Sequence, residues 1–210
     1  MARSVDFRLL SITDRHATQG RSLEVVVQES CQAGLRAVQL REKDLSPAEL
    51  YELAQKVKNI MKPFKSNLFI NDRTDIALAV GADGVHLTTQ SLKPTVVRKI
   101  VSANLLIGAS THSTDEALAA ENDGADFITF GPIYPTPSKA AYGKPLGLEA
   151  LSRTIDQVTL PVFAIGGVTP SRVCECIDAG AYGVAAISAI MSAPNVFESV
   201  TSFRQALGDI

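Results

Sequence analysis

The chain has no tryptophan, three cysteines, three histidines and a formal net charge of only −2 over its 210 residues. Each scarcity excludes something. Cys31, Cys174 and Cys176 are odd in number and carry no framework spacing, which argues against a secreted disulfide scaffold. Cys174 and Cys176 stand too close together for a zinc knuckle and lack a second ligand pair nearby. All three read as helix-packing thiols in a reducing compartment. His16, His86 and His112 form no metal-spaced cluster, and no cysteine is placed near a histidine as a nucleophile would require. His86, in an apolar strand, reads as a satisfied core histidine. The small net charge supplies no global positive field, so neither nucleic acid nor an anionic membrane is an expected partner. No apolar run approaches the roughly 18 residues of a membrane span. The opening MARSVDFRLLSITDR has no charged-then-apolar signal layout, and the expected location is the cytoplasm. Low-complexity tracts, charge blocks and linkers are missing too, so one domain over residues 1–210 is expected.

What the chain does have is a recurring short apolar run. Eight are present: Phe7–Ile12, Arg36–Leu40, Asn67–Ile70, Asp83–Leu87, Leu105–Gly108, Asp126–Phe130, Pro161–Ile165 and Tyr182–Ile187. They show little polar alternation, as parallel strands covered on both faces do. Helical segments separate them. Residues 22–33 place Leu23, Val26, Val27 and Ser30 on one face, and residues 47–61 do the same with Leu50, Leu53, Ala54, Val57 and Met61. The second opens with Ser46, Pro47 and Glu49, a capping-box pattern with proline at the first helical position. Lys93-Pro94 and Thr169-Pro170 open later helices. AGLRAVQL, GADGVHL, GADFITF and AGAYGVAAI echo one another as a helix end followed at once by a strand. Eight βα units predict a single compact (β/α)8 barrel. The rival open sheet would carry G-x-G-x-x-G after its first strand, where this chain has Thr13-Asp14-Arg15.

In such a barrel, chemistry gathers at the C-terminal strand ends. Gly166-Gly167 and Ile187-Ser188 follow the last two runs, where backbone N–H groups can bind a phosphate; the alternative is a plain tight turn. Gln39, Arg41 and Lys43 alternate with Leu40 and Glu42, and period-two spacing puts them on one side, where they suit a polyphosphate. The alternative is a solvated strand end in which Arg41 and Lys43 pair with Glu42 and Asp44. Asp72 follows Asn71 and suits Mg²⁺ held together with substrate phosphates, or ordinary turn chemistry. Lys139 sits in a proline-rich loop and presents an ammonium to an anion or to solvent. These groups favour electrostatic handling of phosphates over covalent catalysis.

The ordered set ITDR, QLREK, IND, GVHL, STHS, GPIYPTPSK, AIGGV and ISAI, from Leu9 to Ile190, resembles the thiamine phosphate synthase/TenI superfamily. GPIYPTPSK is more similar to the synthases than to the TenI-type thiazole tautomerases. The resemblance implies coupling of 4-amino-2-methyl-5-hydroxymethylpyrimidine diphosphate to a thiazole phosphate, with release of pyrophosphate. It implies that Gln39, Arg41, Lys43 and Asn71 bind the pyrimidine diphosphate, that Asp72 holds Mg²⁺, and that Ser110 and Lys139 also reach the diphosphate. Thr136 and Ser138 would contact the thiazole phosphate, and Gly167, Ile187 and Ser188 would cradle its phosphate. Two positions depart from the family's patterns. Where the synthases read Gly-Gln-Glu-Asp after GVHL, this chain reads Thr88-Thr89-Gln90-Ser91, so Ser91 stands for the second metal carboxylate. Where the tautomerases place an acid/base histidine, this chain has Pro132. A tautomerase and a non-catalytic binder of thiamine phosphate are the competing readings. The Pro132–Gly147 loop is the candidate lid, and a homo-oligomer is left open.

Overall fold

The computed structural model describes residues 4–136 and 144–209. Eight parallel strands close into a barrel in chain order. They are β1 (Leu9–Ile12), β2 (Ala37–Leu40), β3 (Asn67–Asn71), β4 (Gly84–Leu87), β5 (Leu106–Thr111), β6 (Phe127–Phe130), β7 (Val162–Ile165) and β8 (Gly183–Ala186). Leu10 pairs with Ala37 on one side and Ala185 on the other, which seals the ring. The helices are α1 (Leu23–Gln32), α2 (Pro47–Met61), α3 (Thr74–Val80), α4 (Pro94–Arg98), α5 (Thr114–Asn122), α6 (Gly147–Ile155), α7 (Val173–Asp178), α8 (Ser188–Met191) and α9 (Val196–Leu207). The barrel is the one that the eight apolar runs predict.

Local chemistry sets these elements where the sequence placed them. The Ser46 side chain accepts from the Glu49 N–H while Glu49 reaches back to Ser46, so α2 starts on a complete capping box. Its buried face is Leu50, Ala54, Val57 and Met61, with Leu53 packed at the margin. Gly81 ends α3 at φ +62°, and the chain turns at once into β4. Thr169-Pro170 opens a single 3₁₀ turn, Pro170–Arg172, before α7.

Alternation along the strands divides two cores. Outward side chains such as Val38, Leu68, Ile107 and Val184 pack under the helices. Inward ones, among them Leu10, Phe69, Phe127 and Phe163, fill the barrel. Phe7 was expected inside the first strand, but it lies two residues before β1. Its ring joins Phe69, Phe127 and Phe163 with centroids 5.3 to 5.7 Å apart. It is a packing residue and makes no strand pair, which is why its apolarity misleads a strand assignment. β5 runs further than expected, so Ser110 and Thr111 are strand residues paired with Thr129 and Phe130.

Candidate active site

Two residues beyond the aromatic layer, the inward positions become polar. Asn71 follows Phe69, Thr129 follows Phe127, and Gln39, His86 and Ser110 complete the layer. Gln39, His86 and Thr129 are almost wholly buried and Asn71 is nearly so. The Gln39 amide donates to Asn71 Oδ1 at 2.9 Å. His86 Nε2 lies 3.1 Å from Ser110 Oγ and 3.4 Å from Thr129 Oγ1. Two buried polar atoms here, Gln39 Oε1 and His86 Nδ1, have no partner among the described residues. Buried polar groups are normally bonded, so an unpaired acceptor in a barrel mouth is a ready contact for a ligand donor. His86 is therefore buried as expected, but only one of its two nitrogens is satisfied. Burial, reinforced by the Arg41 charge, pushes its pKa down to about 3 and keeps the ring neutral.

Of Gln39, Arg41 and Lys43, which period-two spacing puts on one side, only Gln39 lies within β2. β2 stops at Leu40, because Glu42 turns inward to a buried site 5% exposed. There it accepts from the Thr13 hydroxyl at 2.6 Å and from the Arg15 backbone and side chain at 3.2 Å. Arg15 also grips Asp44 with both nitrogens at 2.6 Å. That pair, helped by His16, holds the Asp44 carboxyl far below the usual range. Arg15 thus pairs with both carboxylates that the solvated alternative assigned to Arg41 and Lys43, and His16 with the second. Arg41 is half-buried and close enough to bear on His86, while Lys43 is exposed. The Thr13 hydroxyl also accepts from the Arg41 N–H at 2.9 Å, so ITDR braces the end of β2. Sequence reasoning missed Thr13, Arg15 and Glu42, since nothing in their spacing shows that one loop neutralises the other.

Asp72 is exposed and takes φ +64°, with its N–H donating to the His86 carbonyl. The ends of β3 and β4 are thereby drawn together, and the Thr88–Ser91 turn follows β4 directly. The Ser91 hydroxyl accepts from Thr88 N–H at 2.8 Å and lies 3.0 Å from the Thr88 hydroxyl. Among the described residues no group of three or more His, Cys, Asp or Glu side chains converges as a metal cluster. One rim carboxylate after β3, with a hydroxyl in the turn after the neighbouring β4, still suits Mg²⁺, which keeps waters and takes substrate phosphates as ligands.

On the opposite rim, Gly166 and Gly167 have φ of +94° and +66°. A methyl group on Gly166 would stand 2.5 Å from Pro132 Cβ, and one on Gly167 would stand 2.7 Å from the Pro135 carbonyl. The glycine pair is thus fixed by the close approach of the β6 loop as well as by its turn. Ile133 and Tyr134 N–H groups donate to the Ile165 and Gly166 carbonyls at 2.8 and 2.9 Å. Thr136 is half-buried at the end of this stretch, and Leu146 N–H donates to the Pro132 carbonyl at 2.8 Å across the base of the loop. Ser138, Lys139 and the centre of the candidate lid lie outside the described residues. Ile187 is half-buried and Ser188 is exposed at the first position of α8. The structure thus gathers Gln39, Arg41, Asn71 and Ser110 around one mouth, with Asp72 and Ser91 on one rim and Gly167, Ile187 and Ser188 on the other.

A family model described as thiamine monophosphate synthase matches residues 9–190. A Geobacter sulfurreducens protein provisionally named a thiamine-phosphate synthase is 51% identical over 191 residues, covering 91% of this chain and 90% of its own. A Clostridium botulinum thiamine-phosphate synthase is 37% identical, covering 91% of this chain and 94% of its own. The solved thiamine phosphate pyrophosphorylase of Pyrococcus furiosus superposes with a TM-score of 0.88 at 34% identity, covering 97% and 96% of the two chains. With that model spanning all eight strands and the mouth they enclose, the chain belongs to the thiamine monophosphate synthase family.

Proposed function

We propose that the protein, one (β/α)8 barrel domain over residues 1–210, couples 4-amino-2-methyl-5-hydroxymethylpyrimidine diphosphate to a thiazole phosphate. The observation that carries this reading is the buried, unpartnered acceptor of Gln39, held in place by Asn71 at the floor of the mouth. An aminopyrimidine supplies the missing donor from its exocyclic amine. Arg41, Lys43 and Lys139 meet the diphosphate, with Ser110 beside them. Thr136, Ser138, Gly167, Ile187 and Ser188 hold the thiazole phosphate. Asp72 would hold Mg²⁺, with Ser91 contributing directly or through water, and the ion would supply positive charge against the departing diphosphate.

The chemistry needs no protein nucleophile. The bond from the pyrimidine methylene carbon to the diphosphate oxygen breaks, its electron pair leaves with the diphosphate, and the thiazole nitrogen lone pair forms the new carbon–nitrogen bond. The protein works by alignment and by fixed charge on the leaving group. A neutral His86 puts no positive charge beneath the pyrimidine cation, whereas a protonated imidazole there would oppose it. The tautomerase alternative needs an acid/base where this chain has Pro132.

Incubation with both substrates and Mg²⁺ should yield thiamine phosphate and pyrophosphate in equal amounts. No product at any Mg²⁺ concentration would overturn the synthase reading. Ser91→Asp restores a second carboxylate, and it should lower the Mg²⁺ concentration for half-maximal rate by about tenfold. An unchanged Mg²⁺ dependence would remove Ser91 from the metal site. In location the reading is cytoplasmic, and among the described residues no helix is long and apolar enough to cross a membrane.

A further inference from the structure

The ladder between β6 and β7 ends with Phe130 opposite Ala164. Beyond it, the two loops are held by a small group of side chains that the synthase chemistry does not use. The Arg172 guanidinium carbon sits 4.5 Å from the centre of the Tyr134 ring. The same guanidinium donates to the Gly167 carbonyl at 2.7 Å. The Tyr134 hydroxyl donates to Glu175 Oε2 at 2.7 Å, one turn further along the same segment. Gly167 closes the group from below, since a side chain there would stand 2.8 Å from Tyr134 Cβ. Arg172 thus lies between an aromatic face and a backbone carbonyl, and a planar guanidinium can present its face to a ring while an edge N–H reaches a carbonyl.

We propose that Tyr134 and Arg172 are positioning residues, a clasp that sets the spacing between the two walls of the thiazole phosphate subsite. One wall is the β6 loop, where Thr136 stands two residues after Tyr134. The other is the glycine loop, where Gly167 is itself the bonded partner. The proposal rests on the synthase reading and goes beyond it, because neither residue touches substrate in that reading. The clasp is half-buried at the rim, where such contacts add little to global stability. Its effect is on geometry: phosphate binding by backbone groups depends on where the carbonyls and N–H groups of 166–168 point.

The test is a set of variants, Arg172→Gln, Arg172→Lys and Tyr134→Phe, in the full chain. Arg172→Gln should raise KM for the thiazole phosphate by about tenfold. KM for the pyrimidine diphosphate should rise by no more than about twofold, since Gln39, Arg41, Lys43, Asn71 and Ser110 lie on other strands and loops and only Lys139 follows on the β6 loop. Arg172→Lys, which keeps the charge without the plane, should recover only part of the loss. Tyr134→Phe, which keeps the ring and drops the bond to Glu175, should show a smaller change of the same kind. Amide hydrogen exchange should quicken at 133–136 and 166–168 in Arg172→Gln and nowhere else. Equal rises in both KM values, or a lowered melting temperature with the KM ratio unchanged, would overturn the clasp. Should the wild type make no thiamine phosphate, the synthase reading fails by itself. Calorimetric binding of the thiazole phosphate and the exchange pattern then judge the clasp: weaker binding with local exchange supports it, and no change in either overturns it.

Discussion

At His86 the folded chain refuses a proton that the unfolded chain accepts. Its ordinary value is 6.5 and its folded value is about 3, with burial the leading cause and the Arg41 charge the second. Below pH 6.5 the unfolded state therefore binds more protons, and stability falls as pH drops toward 3. The loss from this one ring approaches about 1.4 kcal/mol per pH unit in that window. His86→Gln removes the titrating group and keeps a polar partner for Ser110. Its urea midpoint should fall less steeply than that of the wild type between pH 6 and pH 4, and parallel slopes would disprove the linkage. This burial was legible in the sequence, since a lone histidine inside GVHL points to the core. Its unpaired Nδ1 was not, because satisfaction depends on what β5 and β6 bring alongside. The same holds for Glu42. Its place between Arg41 and Lys43 suggested a solvated ion pair, and only the fold shows Thr13 and Arg15 arriving from another loop to claim it.

Strands and helices were more legible than single side chains. A run apolar on both faces reports a strand covered on both sides, and the strand interiors are buried as that pattern requires, Ser110 in β5 excepted. The ends were less certain because packing and pairing both demand apolar residues. Phe7 packs without pairing, while Ser110 and Thr111 pair although they are polar. Within β5 a further constraint comes from Gly108. A methyl group there would meet the Phe127 ring at 2.4 Å and His86 Nδ1 at 2.5 Å. Gly108→Ala should therefore cost about 1–3 kcal/mol through overpacking. It should also displace His86 and reduce synthase turnover. Gly124→Ala makes the useful contrast, because nothing lies within 4 Å and only its φ of +85° resists. That change should cost about 1–2 kcal/mol and leave turnover alone. Urea melts with parallel rate assays separate the two, and a turnover loss in Gly124→Ala would break the argument.

Across the whole molecule, the surprise was size. A (β/α)8 barrel typically needs about 250 residues, and this chain closes one within 210. It does so with short covering helices, such as α4 (Pro94–Arg98) and α7 (Val173–Asp178). Such economy separates labour along the barrel axis: aromatic rings fill one level and polar side chains the next. Phe7, 2% exposed, ties β3, β6 and β7 from outside the sheet. Phe7→Ala should cost about 3–5 kcal/mol. Both KM values should stay unchanged at temperatures well below its melting point. Gln39→Leu should act on binding as well. Gln39→Leu removes the donor to Asn71 Oδ1, so stability should fall by about 1–3 kcal/mol, less than for Phe7→Ala. Loss of the unpaired Gln39 acceptor should raise KM for the pyrimidine diphosphate by at least about tenfold. If Gln39→Leu instead unfolds the chain while Phe7→Ala spoils substrate binding, the two levels are not separable. The barrel would then act as one packed unit from base to mouth.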